Sequence, residues 1–387
     1  MLSSRMNKLN PYVPGEQPKD REYIKINANE NPYPPSKKVS EAIKNLIDNN
    51  PEKLGLYPDP DSLELHEAIA DMLNKTGAVL SRAVIKGDSV EPSAEDRIPF
   101  TVTPDMIYTG NGSDEVLSFV FYAFFDSGRK LVCPEHSYSF YPVYCGFYDI
   151  PREPVALKSD WTLDTEKMVK FANEYDSGMI FANPNAPTSL ALTRGQIKKM
   201  LDAAPKNRVF VVDEAYVDFG GESVIPLLKD YKNLVVVRTF SKSFCGAGMR
   251  SGYIVADPQL VNAVTTVKNS LNHFPMDAVT QVACVAACND AAYYVECAKK
   301  VCAVREDFIS YLKKNGYTVN DSKTNFVFVK KDGLDGKKAY EFIRDNGILV
   351  RRFDTPGIEQ YLRITIGTQK QMDELKKIMD RLLQEEK

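Results

Sequence analysis

Short runs of consecutive apolar residues recur through the middle of the chain: Met179-Ile180-Phe181, Val209-Phe210-Val211-Val212 and Leu234-Val235-Val236-Val237. They are too short for helices and do not alternate with polar residues, the pattern of strands buried on both faces. Between them lie stretches of helical period. Thr193 offers an N-cap hydroxyl with Gln196 three residues on, and Ile197, Met200 and Leu201 then share one face, which predicts a helix from that point. Another is predicted after Asp257-Pro258. Strand and helix in alternation predict an α/β fold with a mostly parallel sheet. Residues 276–315 read as almost wholly helical and end at Gly316, a natural C′ residue. Beyond them, Asn325 to Val329 and Tyr361 to Ile366 read as strands around a helix over Lys338 to Asn346, predicting a smaller α+β domain. The expected division is an N-terminal arm (1–35) belonging to the small domain, a large domain (36–270) and a small C-terminal domain (271–387). Residues 77–103, polar and without clean periodicity, read as a surface insertion.

Composition narrows the function classes. A chain of 387 residues exceeds what one core usually holds, in keeping with two packed domains. With 49 basic against 52 acidic side chains there is no global field to attract nucleic acid or an anionic membrane, so neither partner is expected and any anion site must be built locally. Seven cysteines, odd in number and without CxxC spacing, are expected to be reduced thiols of a cytoplasmic protein. The N-terminus lacks an apolar signal region and no run of eighteen apolar residues occurs, so neither secretion nor membrane spanning is expected. His66, His136 and His273 have no second histidine at i+4, and no metal site is expected.

Candidate chemistry sits where the buried runs end. The run through Val212 leads into Asp213-Glu214-Ala215-Tyr216, and the run through Val237 into Arg238-Thr239-Phe240-Ser241-Lys242. In open α/β sheets ligands gather at the carboxyl ends of strands, so two adjacent strands would bring Asp213 and Lys242 to one pocket. A lysine that links covalently to pyridoxal 5′-phosphate needs such a carboxylate, which keeps the pyridine nitrogen protonated and the ring an electron sink. Tyr216 would reach the ring's phenolic oxygen. The turn Gly110-Asn111-Gly112-Ser113-Asp114-Glu115 feeds an apolar helix whose N-terminus favours an anion, and Ser241 and Arg250 would add a hydroxyl and a cation. Asn183 and Asn185 stand in another strand-end turn. Arg351 and Arg363 follow apolar runs and suit bidentate capture of a carboxylate or phosphate.

These segments, taken in order, carry a resemblance. They are NPYVPG from Asn10, NANENPYPP from Asn27, YPDP from Tyr57, GNGSDEV, NPNAPT, DEAYVDF, TFSKS, Gly248-Met249-Arg250, TNFVFV and LRITIGT. Over almost the whole chain the sequence resembles the fold-type I pyridoxal-phosphate aminotransferases, and within them the histidinol-phosphate branch. The resemblance implies a homodimer that binds pyridoxal 5′-phosphate and transfers an amino group from L-histidinol phosphate to 2-oxoglutarate, giving L-glutamate, in histidine biosynthesis. Aromatic amino-acid transamination and threonine-phosphate decarboxylation are the alternatives within the family. By the same resemblance, Lys242 carries the cofactor, Asp213 pairs with its pyridine nitrogen, and Tyr216 contacts its ring oxygen. Tyr138 stacks on the ring, while Ser113, Asp114, Ser241 and Arg250 form the phosphate cup. Tyr57 reaches the phosphate of the neighbouring subunit, and Tyr12, Arg351 and Arg363 hold substrate. The chain departs from the common NPNNPTG motif, reading NPNAPTS, so Ala186 replaces an asparagine and either Asn183 or Asn185 is left to contact the ring oxygen.

Overall fold

The computed structural model describes residues 2–87 and 89–385. Met1, Asp88, Glu386 and Lys387, which the ranges for the arm, insertion and small domain include, lie outside the described residues. The arm ends in a two-residue strand, β1 (Ile24–Lys25), and a short hairpin follows from β2 (Val84–Lys86) and β3 (Ser89–Glu91). The apolar runs form the centre of a seven-stranded sheet. Its members are β4 (Ile107–Asn111), β5 (Leu131–Pro134), β6 (Arg152–Val155), β7 (Met179–Ala182), β8 (Phe210–Asp213), β9 (Leu234–Thr239) and β10 (Ser251–Ala256). They lie in the order β4-β10-β9-β8-β7-β5-β6, and β10 alone runs against the other six.

Two helical layers explain why the central runs are apolar throughout. Helices α1 (Lys37–Asn49) and α2 (Leu63–Thr76) precede the sheet, and α3 (Gly112–Phe124), α4 (Tyr141–Phe147) and α7 (Pro258–Leu271) cover one of its faces. α2, α5 (Thr165–Glu174), α6 (Arg194–Ala203) and α8 (Ala278–Cys288) cover the other. Phe210 and Val212 of β8 pack against the layer of α2, α5, α6 and α8 while Val211 packs against that of α3, α4 and α7, so successive side chains serve different layers. Fully burying each such side chain contributes about 1.5–3 kcal/mol. The capping box at the start of α6 forms as expected: the Gln196 N–H donates to Thr193 Oγ1 at 3.2 Å, and the Thr193 N–H to Gln196 Oε1 at 2.8 Å.

The long helix α9 (Ala291–Lys314) joins the two cores and ends at Gly316, whose φ is +73°. Tyr294 and Val295 pack in the first core, and from Ala298 onward its buried residues pack in a separate one. α8, counted with the small domain by the sequence reading, packs on α1 and α2. The second core lies under a four-stranded sheet of β11 (Thr318–Val319), β12 (Phe326–Lys330), β14 (Arg351–Arg352) and β15 (Leu362–Thr365), with α10 (Gly336–Asp345) and α11 (Gln369–Glu385). β13 (Ile348–Leu349) pairs in parallel with β1, which fastens the arm to this unit.

The surface-insertion reading of residues 77–103 needs correction. Ala78, Val79, Leu80 and Ala83 are buried. Their backbone is held from inside: Leu80 N–H donates to Asp218 Oδ1 at 2.9 Å, and Arg238 donates to the Ala78 carbonyl at 2.7 Å. Asp96, fully buried, accepts from Arg82 at 2.6 Å and Arg194 at 3.2 Å. Three consecutive apolar residues, Ala78 to Leu80, with Ala83 beyond Ser81-Arg82, are too few for periodicity to reveal.

Candidate active site

Because β10 is the one reversed strand, the carboxyl ends of β4, β8 and β9 meet the start of β10 on one edge of the sheet. Asp213 closes β8, and Lys242 lies three residues beyond the end of β9, in the loop that returns as β10. A cavity of about 410 Å³ opens at this edge between the two sheets, with Tyr12, Tyr138, Tyr216, Lys242, Arg351 and Arg363 among its lining residues. Lys242 Nζ stands 5.6 Å from the centre of the Tyr216 ring and donates weakly to the Ala28 carbonyl at 3.5 Å. The arm therefore forms part of the wall.

Asp213 is buried below this cavity. It accepts from the Tyr141 hydroxyl at 2.9 Å and from the Ala215 N–H at 3.1 Å. Desolvation raises its carboxyl from the ordinary 3.8 to about 6, against the opposing pull of those two donors. Among the described residues no cation lies within ion-pairing distance of it. Burial and the neighbouring Asp213 carboxyl hold the Tyr141 hydroxyl well above its ordinary range, so it remains a donor. Tyr141 also lines the cavity. Sequence reading missed it among the aromatics that follow His136, although its place three residues after Tyr138 was a usable signal.

A second cluster forms where β4 becomes α3. Arg250, in a left-handed conformation with φ +53°, reaches Asp114 Oδ2 at 3.2 Å, while the Tyr138 hydroxyl donates to Asp114 Oδ1 at 2.6 Å. Asp114 thus holds a cation and a phenol at the helix N-terminus. Gly112 and Gly252 make the close approach possible: a Cβ on the first would sit 2.6 Å from the Arg250 guanidinium, and one on the second 2.5 Å from the Ser113 amide nitrogen. Ser241 is buried, its N–H bonded to Thr239 Oγ1 at 3.1 Å. The next hydroxyl beyond Lys242, Ser243, donates to Asp218 Oδ2 at 2.6 Å, within a buried network of Asp218, Arg238 and Glu214 that braces the lysine loop from below.

Arg363 and Arg351 face the cavity, and among the described residues neither has a carboxylate partner. Arg363 donates to the Asn27 carbonyl at 2.9 Å, its buried Nε has no partner among the described residues, and desolvation lowers its pKa. Arg351 donates to the carbonyls of Pro14 and Val13, at 3.1 and 3.2 Å. Tyr12 stacks on Phe140 with ring centres 4.7 Å apart.

Three of the expected residues do not line this cavity. The Asn183 side chain is spent on Leu192, accepting from its N–H at 2.7 Å and donating to its carbonyl at 3.1 Å. Asn185 donates to the His136 carbonyl and Thr188 Oγ1 and accepts from Ser137 Oγ at 2.8 Å. Both asparagines brace the turn. Tyr57 does not line the cavity: it is 82% exposed and stacks on Phe274 at 4.5 Å.

The family model for aminotransferase class I and II matches residues 21–379. The histidinol-phosphate aminotransferase of Syntrophus aciditrophicus is 45% identical, over 99% of this chain and 98% of the relative. That of Clostridium acetobutylicum is 40% identical, over 96% of each chain. Among solved structures, the histidinol-phosphate aminotransferase of Sinorhizobium meliloti in complex with pyridoxal-5′-phosphate superposes with a TM-score of 0.81 at 23% identity, over 98% of both chains. The aspartate aminotransferase of Thermus thermophilus with maleate gives 0.78 at 18% identity, over 98% of this chain and 99% of that one.

Proposed function

Because this chain belongs to the class I and II aminotransferase family, we propose that it moves an amino group from L-histidinol phosphate to 2-oxoglutarate with bound pyridoxal 5′-phosphate. The observation that carries the reading is a buried carboxylate without a cation, Asp213, and a lysine amine, Lys242, on neighbouring strand ends beside one cavity. The names of relatives at 45% and 40% identity support the donor. So do Arg351 and Arg363, two cations without counter-charges among the described residues, for a substrate pair that carries a phosphate in one half of the reaction and two carboxylates in the other.

The residues present suit the cofactor. Asp213 lacks the positive charge that a protonated pyridine nitrogen would bring, and the glycine-lined turn at Ser113, with Ser241 and Arg250, offers a phosphate amide, hydroxyl and guanidinium donors. Asp114 serves that cup by holding Arg250 and Tyr138. Pyridoxal phosphate supplies an aldehyde that takes up and returns the amino group and a ring that withdraws electrons from the substrate carbon. Lys242 Nζ would hold the cofactor covalently and, once freed, would serve as the base and acid that moves a proton from the substrate's amino-bearing carbon. Tyr216 would donate to the ring oxygen, Tyr138 would pack on the ring, and Tyr12, Arg351 and Arg363 would hold the substrate's anionic end.

Adding L-histidinol phosphate to the loaded protein without any keto acid tests this directly. The visible absorption of the lysine-bound cofactor should give way to that of the amine form, in one equivalent per site. Conversion by aromatic amino acids but not by this donor would move the reading to the aromatic branch.

The homodimer rests on Tyr57. An exposed phenol stacked on Phe274, with Leu54, Leu56 and Leu63 more than half exposed near it, forms an apolar patch suited to a second copy of the chain. Sedimentation should give a dimer, and Tyr57→Ala should weaken cofactor retention about tenfold, the size of one lost hydrogen bond to a charged group. A fully active monomer would remove Tyr57 from the site.

A further inference from the structure

Asn29 is 1% exposed and joins the two sheets at the cavity wall, in a left-handed conformation with φ +56° that asparagine tolerates. Its backbone N–H donates to Thr365 Oγ1 at 3.0 Å, so the proton of that threonine hydroxyl turns to Asn29 Oδ1, 3.1 Å away. Asn325 Nδ2 holds its carbonyl at 2.9 Å. The side-chain amide is thereby oriented from β15, and the atom left facing Tyr216 Oη, at 2.9 Å, is the nitrogen Nδ2. An amide nitrogen only donates. Tyr216 must accept at that contact, and its own proton is free for an acceptor inside the cavity.

We propose that Asn29 is a positioning residue that fixes the Tyr216 hydroxyl as a donor to the ring oxygen of the bound cofactor, through a hydrogen-bond chain that begins at Thr365. The inference rests on the cofactor reading above and deepens it. It also accounts for Ala186: with Asn183 and Asn185 spent on the turn, Tyr216 carries the ring-oxygen contact, and a fixed proton direction keeps that single bond made. A proton donated to the ring oxygen weakens that oxygen's hold on the proton it shares with the lysine nitrogen. Losing the donor therefore raises the pH at which the linkage loses its proton.

The test is a spectrophotometric pH titration of the lysine-linked cofactor in the whole protein. Tyr216→Phe should raise the midpoint by about one pH unit, the scale of one hydrogen bond that distinguishes two protonation states. Asn29→Gly keeps the backbone N–H and suits the positive φ, so it tests the side chain with the local fold retained; it should raise the midpoint part of the way. Asn29→Asp accepts where Asn29 donates, turning the Tyr216 proton away, and should raise it at least as far as Tyr216→Phe. In a Tyr216→Phe background, Asn29→Gly should add nothing. If both Asn29 variants keep the wild-type midpoint while Tyr216→Phe raises it, Asn29 does not orient the hydroxyl and the proposal fails alone. An unmoved Tyr216→Phe midpoint also overturns it. A wild-type protein with no visible band overturns the cofactor reading itself.

Discussion

Lys242→Ala is expected to lose turnover by about 10⁴-fold or more, because one side chain both holds the cofactor and moves the proton. The variant should also lack the visible absorption of a lysine-bound aldehyde, while still binding cofactor through the contacts around Arg250 and Ser113. Those two losses separate roles that a rate alone would merge. A supplied small amine can replace the proton transfer but not the covalent attachment, so partial recovery of rate without recovery of the resting band is the expected signature of rescue. Retained turnover in Lys242→Ala would place the nucleophile elsewhere. Loss of the folded state is not expected: Nζ makes a long hydrogen bond, to the Ala28 carbonyl at 3.5 Å, and lies 5.6 Å from the Tyr216 ring centre, while the loop is held independently by Ser243 on Asp218.

The placement of Lys242 and Asp213 was legible because unbroken apolar runs mark strands buried on both faces, and polar residues directly after such a run must emerge at a sheet edge. The sequence could not show that β10 reverses direction, because reversal depends on the return of the 240–250 loop and leaves no mark in hydrophobic pattern. That reversal brings Ser251 beside Asn111 and Arg250 beside Gly112. Residues 78–83 were illegible for a different reason. Ala78, Leu80 and Ala83 pack in the core of the large sheet, and their backbone is tied to Arg238 and Asp218, partners that lie far away in the chain. Asn29 belonged to a recognised motif, but its chemistry lies in contacts with Thr365 and Tyr216, more than 180 residues distant. Residue type alone does not distinguish a positioning amide from a turn residue.

Asp213→Asn should cost about 10² to 10⁴-fold in rate, the range for removing one member of a buried charge pair, since the amide cannot keep the pyridine nitrogen protonated. The same substitution has an opposite effect on the protein without cofactor. Burial holds the Asp213 carboxyl at about 6, above the ordinary 3.8. Between those values the folded chain keeps a proton that the unfolded chain has released, so stability falls as pH rises through that window and levels off above it. The contribution lost is on the order of 3 kcal/mol. Asp213→Asn has no proton to release there, and its cofactor-free form should lack this decline in urea unfolding from about pH 4 to 7. With cofactor bound, a cation against Asp213 favours the carboxylate, so the wild-type decline should shrink or reverse. A decline identical with and without cofactor would mean that no positive charge faces Asp213, and the pairing with the pyridine nitrogen would have to be given up.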